Sequence, residues 1–510
     1  MKKTIIKAGI AVVMIIATYI SCNKKSLDIP YALPSEETSF ATENDFRTTL
    51  IGVYATITDF YASSGGGRGG GFAGEARLLP GDELTVGDNT AFENFSGLNP
   101  GTAAISQNYT SAYTMIGRAN TLLEKLASAT GVFTTPNLQN TIKGEALFLR
   151  AWCHYMLWNM YGTAPVRLER VTQASQLLAS SSKGTELLDA SIKDLQEAAG
   201  YLPTSWDAGN LGRVTSNSAN GLLGKCLTFR GTVNKSAADY QAALTAFNKI
   251  GAGVKLVPNF GDNFDFNFEN NAESLFEFQA GIAPVNQNPW LANDFGNLGV
   301  SGTVLAMYDT TKGRNFVGPS YYRPTTKYKN IFEAGDPRLP ISIVDNTIGK
   351  YVLKGKNAYD PKQGAISVNN WRIFRFADVV LLKAEATLQS GGSTAAAIGF
   401  INEVRTRARN MVPGGLMPAD FSTAETDKAK IMQWIMDERL RELGAEGERW
   451  FDLRRWHLAG FITLNNAFFS STAPQFMGFE GQTPPNKYIF FPIPSSETDK
   501  NKNVAQNLGY

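Results

Sequence analysis

The chain has 510 residues, of which 43% are hydrophobic and 11% aromatic, so it can bury a large core and is unlike a disordered protein. Its formal net charge of +2 gives no electrostatic basis for binding nucleic acid or an anionic membrane surface, and no nucleic-acid partner is predicted. At about 150 residues per domain, the length alone corresponds to roughly three structural units.

The first residues are typical of an export signal. Three lysines precede a nearly continuous apolar run, residues 8–20, which is too short for a membrane span of about 20 apolar residues. A small residue and then Cys22 follow the run, which favours cleavage and lipid attachment there; a plain secretory signal with an incidental cysteine is the alternative. We therefore predict a signal peptide over 1–21 and a lipidated tether over 22–38, held to the membrane through Cys22.

Most of the mature chain is predicted to be helical, because apolar residues recur at spacings of three and four. The predicted helices cover residues 40–61, 109–126, 142–162, 184–199, 215–231, 236–250, 374–390, 395–409 and 425–456. Small residues such as Gly224 and Ala243 on two successive segments predict close antiparallel packing, as in tetratricopeptide-type hairpins.

These patterns predict a mostly α fold. A helical scaffold would cover about 40–250 and 372–457, with a loop-rich insert at about 255–370 and an extended, proline-broken tail at 458–510. Cys153 and Cys226 lie within apolar helical patterns and are predicted to be buried free thiols rather than a disulfide. His154 is predicted to be a core residue, and no metal site is predicted.

The best enzyme-like pattern consists of Glu438, Glu442 and Glu446, which are spaced by four and would share one helix face. Paired carboxylates could hydrolyse a glycosidic bond. However, many arginines occupy the same segment and other helices, and a carboxylate paired with arginine has a lowered pKa and is a poor general acid. Buried ion pairs between helices are therefore the favoured interpretation.

Aromatic residues in the irregular segments indicate a different activity. Their rings could stack on sugar rings while neighbouring polar groups bind hydroxyls; packing that fixes long loops is the alternative. These residues are Phe72, Phe92, Phe95, Trp290, Tyr321, Tyr322 and Trp371.

Several motifs, taken in their order along the chain, resemble those of the SusD/RagB-like nutrient-binding outer-membrane lipoproteins of the Bacteroidetes. They are Cys22 followed by SLDIP, KGEALFLRAWCHYMLWNMYGTAPV (143–166), RIFRFADVVLLKAEA (372–386), DERLRELGAEGERWFDLRRW (437–456) and FFPIPSSETDKNKNVAQNLGY (490–510). The resemblance covers essentially the whole mature chain and implies a single SusD-like domain over 39–510.

The resemblance also implies four tetratricopeptide-like helix pairs as scaffold, a loop-rich ligand-binding face, and no catalysis or cofactor. It implies a lipid-anchored protein of the outer membrane, facing the cell surface, that passes an oligosaccharide to a SusC-like TonB-dependent barrel. A peptide or glycopeptide ligand, a glycoside hydrolase and a structural adaptor are the alternatives.

The ligand face is expected in two regions, roughly 62–98 and 285–325. No motif assigns individual residues there, so the candidates rest on chemistry and position. They are Phe72, Arg77, Asp82, Trp290, Tyr321 and Tyr322.

Overall fold

The structure is a computed structural model. It describes residues 40–61, 74–85, 91–95, 97–279, 308–309, 314–315, 323–344, 347–348, 350, 352–353, 359–360, 364–365, 370–470 and 487–510. The predicted signal peptide, the tether and Cys22 lie outside these residues.

Helices form most of the described chain and confirm the mostly α prediction. They are α1 (Glu43–Ala55), α2 (Ile57–Tyr61), α3 (Glu75–Leu78), α4 (Ala103–Ser128), α5 (Leu138–Tyr161), α6 (Glu186–Tyr201), α7 (Ser216–Asn234), α8 (Ala237–Phe247), α9 (Thr326–Asn330), α10 (Leu339–Ser342), α11 (Phe376–Gln389), α12 (Thr394–Arg409), α13 (Lys428–Leu443), α14 (Arg449–Ala459), α15 (Asn466–Ser470) and α16 (Ser495–Thr498).

Successive long helices pack against one another in chain order. Helix α4 contacts α5, α5 contacts α6, α6 contacts α7, and α7 contacts α8. Helix α8 in turn packs on α11, which also contacts α12 and α13. The centre of this array is α5, which is apolar on nearly every face; Phe148, Trp152 and Tyr155 are all buried. Stacking of helix pairs therefore builds one continuous core, as in tetratricopeptide-like scaffolds.

Short strands connect the remaining segments. They are β1 (Leu84–Thr85), β2 (Ser274–Phe278), β3 (Tyr308–Asp309), β4 (Arg314–Asn315), β5 (Arg323–Pro324), β6 (Ile343–Val344), β7 (Thr347–Ile348), β8 (Val352–Leu353), β9 (Tyr359–Asp360), β10 (Gly364–Ala365) and β11 (Trp371–Arg375). The β2–β11 pair is antiparallel, with Trp371 opposite Phe278, and it joins the two ends of the predicted insert.

The segment predicted as one helix over 425–456 is two helices, so that prediction was wrong. Helix α13 ends at Leu443, and the turn 444–448 contains two residues in the left-handed region, Ala445 with φ 69° and Gly447 with φ 92°. Since a right-handed helix cannot pass through such residues, α13 ends before them and a separate helix, α14, begins at Arg449. Glu446 consequently lies in the turn and not on the helix face shared by Glu438 and Glu442.

Gly224 permits the close approach that the small residues of α7 and α8 predicted. A Cβ atom added at this position would overlap the ring of Phe247 on α8. The thiols of Cys153 and Cys226 are both free and buried, and His154 is buried, as predicted.

A buried network of arginines and carboxylates joins the scaffold to the insert. The Glu442 carboxylate accepts hydrogen bonds from Arg375 at 2.7 Å, from Arg338 at 3.0 Å and from Arg407. Arg375 also donates to both oxygens of Glu446. The favoured interpretation of the acidic pattern as interhelical ion pairs is therefore confirmed, and these carboxylates are saturated by cations.

The charges around Glu442 decide its protonation state. Burial alone would raise its pKa, but Arg407, Arg375 and Arg338 together hold the pKa well below the usual range. Because the pKa is lower in the folded state than in the unfolded state, the stabilisation is complete above the ordinary carboxyl pKa and is lost as the pH falls below it.

Replacing Glu442 by Gln is expected to lower the free energy of unfolding by about 3–5 kcal/mol, because it leaves buried guanidinium groups without their shared counter-charge. Urea denaturation followed by circular dichroism would measure the loss. Glu425→Gln is the control, since Glu425 pairs with Lys430 at the surface and exposed pairs contribute little. Equal losses in the two variants would contradict the assignment.

Replacing Gly224 by Ala is expected to destabilise the fold by about 1–3 kcal/mol, because the methyl group overpacks the contact with Phe247. Helix propensity by itself predicts the opposite sign, by about 1 kcal/mol. Gly399→Ala in α12 is the matched control, since no atom lies near its added Cβ, and it should stabilise. Thermal unfolding of both variants is the measurement, and destabilisation of both to the same extent would show that Phe247 is not the cause.

Candidate ligand-binding site

The two regions predicted to form the ligand face meet in an antiparallel strand pair. In this pair, Thr85 of β1 lies opposite Arg323 of β5, and Leu84 lies opposite Pro324. The contact continues beyond the strands, because the Thr325 amide donates to the Glu83 carbonyl oxygen at 2.9 Å. Two segments more than 200 residues apart in sequence are thereby held side by side.

Asp82 anchors this strand pair to the scaffold. Its carboxylate accepts two hydrogen bonds from Arg449, the first residue of α14, at 2.6 and 3.0 Å, and a third from Lys327 of α9. The Asp82 carbonyl oxygen accepts from the Thr325 hydroxyl at 2.8 Å. Burial alone would raise the pKa of Asp82, but the charges of Arg449 and Lys327 hold it below the usual range.

These contacts occupy both oxygens of the Asp82 carboxylate, which was predicted to bind ligand. The residue is fully buried, and cations of the same chain occupy its carboxylate. A carboxylate in this position can support the ligand face but has no exposed oxygen for a sugar hydroxyl.

Arg77 is likewise in a supporting position. It lies in the short helix α3, is 6% exposed, and donates to the Phe60 carbonyl oxygen at 3.0 Å. Its Cβ lies next to the turn 444–448, against Gly447. The structure thus places Arg77 between α2 and this turn.

The loop aromatics divide into three groups. Trp371 is the first residue of β11, and it is partly buried against the core. Phe92 and Phe95 are buried; Phe95 stacks on Tyr488 with centroids 4.8 Å apart, and Phe92 packs edge-on against Phe491. These two rings fix a loop by packing, which was the alternative interpretation. The remaining candidates, Phe72, Trp290, Tyr321 and Tyr322, lie outside the described residues, although Tyr322 directly precedes β5 in the sequence.

Sequence reasoning missed Arg449, Lys327 and Glu83 at this site. Glu83 is fully buried, and its pKa is raised to about 8, first by burial and then by the neighbouring Asp82 charge. The consecutive acidic residues 82–83 before an apolar strand residue were a signal, since adjacent carboxyls inside a fold require a cation or a proton. The identity of the cation was not recognisable, because Arg449 is 367 positions away.

Two adjoining clefts were also missed. They have volumes of about 450 and 530 Å³ and share Asn120, Glu169 and Arg170 as lining residues. The first lies between α4 and the segment 165–177, and the second is lined by α5 and α6 as well. The Asn120 side chain accepts from Arg150 at 2.7 Å and donates to the carbonyl oxygens of Arg167 and Glu169. These bonds hold the segment against α4; the clefts were not predictable because the segment has no periodicity.

The described part of the chain contains no cluster of three or more histidine, cysteine, aspartate or glutamate residues that could hold a metal ion. Within the same residues, every helix is too short or too polar to cross a membrane.

Known proteins resemble this chain in sequence and in fold. A family described as the SusD family matches residues 345–510, and one described as "Starch-binding associating with outer membrane" matches residues 89–227, so that together they cover more than half of the chain.

Individual relatives match over most of their length. SusD-like protein P2 of Formosa agariphila is 24% identical over 542 aligned positions, covering 98% of this chain and 99% of that protein. The starch-binding protein SusD of Bacteroides thetaiotaomicron is 24% identical over 434 positions, covering 72% of each chain. The solved structure of a laminarin-binding SusD-like protein superposes with a TM-score of 0.69 at 22% identity, covering 92% of this chain and 100% of that one. The chain therefore belongs to the SusD family.

Proposed function

We propose that this protein binds oligosaccharides at a face built around the β1–β5 strand pair and does not alter them chemically. The pairing of β1 with β5 is the observation that carries the proposal, because it joins the two segments in which the sequence places aromatic and polar ligand groups. The starch-binding and laminarin-binding relatives support a glycan as the ligand class.

In this proposal the ligand contacts come from Phe72, Trp290, Tyr321 and Tyr322, whose rings would stack on sugar rings. Arg77 and Asp82 do not contact the ligand in this proposal. Their burial and internal hydrogen bonds support a role in holding the segments 74–85 and 323–327 in place. A shallow site of this kind gives modest affinity, since sugar hydroxyls stay partly hydrated and polar groups must be desolvated on binding.

The saturation of Glu438 and Glu442 supports a role without catalysis. Glu438 accepts hydrogen bonds from Arg338, Arg405 and Arg441, so it is ionised and has no proton to donate to a leaving group. Hydrolysis by an acid pair needs one carboxyl that remains protonated at working pH. The pKa of Glu438 is instead lowered, since three arginine charges outweigh the effect of burial.

We also propose that the protein is a surface lipoprotein, anchored in the outer membrane through lipid on Cys22, and that it passes its ligand to a TonB-dependent barrel. The family description "Starch-binding associating with outer membrane" supports the location. The export signal and the position of Cys22 support the anchor, because a diacylated cysteine attaches a protein lastingly without a transmembrane helix.

Calorimetric titration tests the ligand class. The mature protein, truncated just after Cys22, should bind one class of starch- or laminarin-derived oligosaccharide, and Trp290→Ala and Tyr322→Ala should each lower the association constant about tenfold, or 1.4 kcal/mol. Phe461→Ala is the matched control, since this aromatic is 39% exposed and lies outside both predicted regions. It should leave binding unchanged.

If only peptides bound, the fold assignment would stand, but the proposed ligand class would be wrong. If glycan binding were unchanged in both variants, the proposed site at β1–β5 would be wrong. Release of sugar from a bound oligosaccharide would contradict the non-catalytic role.

A further inference from the structure

Glu83 is a buried carboxyl that directly precedes β1, at the end of the β1–β5 contact. It is fully buried, its carbonyl oxygen accepts from Thr325, and its side chain faces the amide of Ala445 in the turn 444–448. Ala445 has a left-handed φ of 69°, so this turn has little freedom to adjust. Glu83 thus touches β5 through its main chain and the turn through its side chain.

The charged groups around Glu83 are already paired with other carboxylates. Arg449 from α14 and Lys327 from α9 both bind Asp82, and Lys350 from the insert binds Glu446 at 2.7 Å. The remaining neighbours are the hydroxyl of Tyr328 on α9 and the Asp82 carboxylate itself. Among the described residues, no cation lies within ion-pair distance of Glu83, so a proton is what neutralises it.

We propose that Glu83 is a proton-dependent latch of the ligand face: its protonated carboxyl keeps the segment 82–85 seated on β5 and on the turn 444–448, and loss of the proton loosens this contact. Ionisation would place a second negative charge beside Asp82 in the interior. The segment can relieve that cost only by exposing Glu83 to water.

The direction of the pH effect follows from the raised pKa. Glu83 keeps its proton in the closed state up to about pH 8, whereas an exposed glutamate releases it near the ordinary value. When the segment 82–85 opens at a pH between the ordinary glutamate pKa and about 8, Glu83 therefore releases one proton. The opening equilibrium constant should rise about tenfold per pH unit through that window and level off above pH 8.

Hydrogen exchange of the full mature protein tests the latch without any ligand. The amide of Thr325 reports directly, because it donates to the Glu83 carbonyl oxygen. Its protection factor, corrected for intrinsic exchange, should fall about 100-fold between pH 5.5 and 7.5 in the unaltered protein. In Glu83→Gln, which has the same shape and no titration, the protection factor should be constant.

Glu269→Gln is the matched control. Glu269 also has a pKa raised to about 8 by burial, but it accepts from the Asn370 amide, near the end of the insert. This variant should leave the pH dependence at Thr325 intact. A second neutral variant, Glu83→Leu, should remove that dependence even if the overall stability changes.

If the protection factor of Thr325 changed with pH in the same way in the unaltered protein and in Glu83→Gln, the proposal would be overturned. Loss of the pH dependence in Glu269→Gln would also overturn it. The consequence for ligand rests on the proposed function: glycan affinity should fall as the pH rises towards 8 in the unaltered protein and stay level in Glu83→Gln. Since the exchange experiment contains no glycan, failure of glycan binding and failure of the latch are distinguishable.

Discussion

The sharing of one carboxylate by three guanidinium groups is the contact on which the rest of the structure depends. Glu442 sits at the end of α13 and binds arginines from the insert, from β11 and from α12. In an interior of low dielectric, charges of this kind must be paired or they destabilise the fold severely. Pairing these charges fixes the positions of α13, the insert, β11 and α12 relative to one another. The insert, which has few periodic helices of its own, is thereby held in a defined position.

The same principle recurs where the scaffold meets the proposed ligand face. A second buried set joins α7, α11, α13 and α14. Lys225 of α7 pairs with Asp378 of α11. Arg439 of α13 bridges Asp378 and Asp452 of α14. It sets the position of α14, whose first residue, Arg449, holds Asp82. The geometry of the β1–β5 pair therefore depends on helix packing far from it. Glu83, which has no cation within ion-pair distance among the described residues, is neutralised by a proton instead.

The sequence predicted the helices well and the residues of the site poorly, for different reasons. Periodicity of apolar residues is local, so α5 and α11 could be recognised from their own segments. The break between α13 and α14 was missed, because helical apolar spacing is present on both sides of 444–448 and the left-handed backbone of Ala445 leaves no mark in that pattern. Asp82 was predicted to bind ligand from its chemistry and position, yet its carboxylate is bound by Arg449 from a segment 367 positions away.

By itself, the sequence determined the mostly α architecture, the family, the buried thiols and the ionic character of the acidic motif, since each follows from local patterns, from composition or from motifs in their order along the chain. Only the tertiary structure decided which arginine meets which carboxylate, that Phe92 and Phe95 pack inside, and that β1 pairs with β5. Such pairings depend on the summed packing of many helices. A local pattern can state that a charge needs a partner, but not which distant segment provides it.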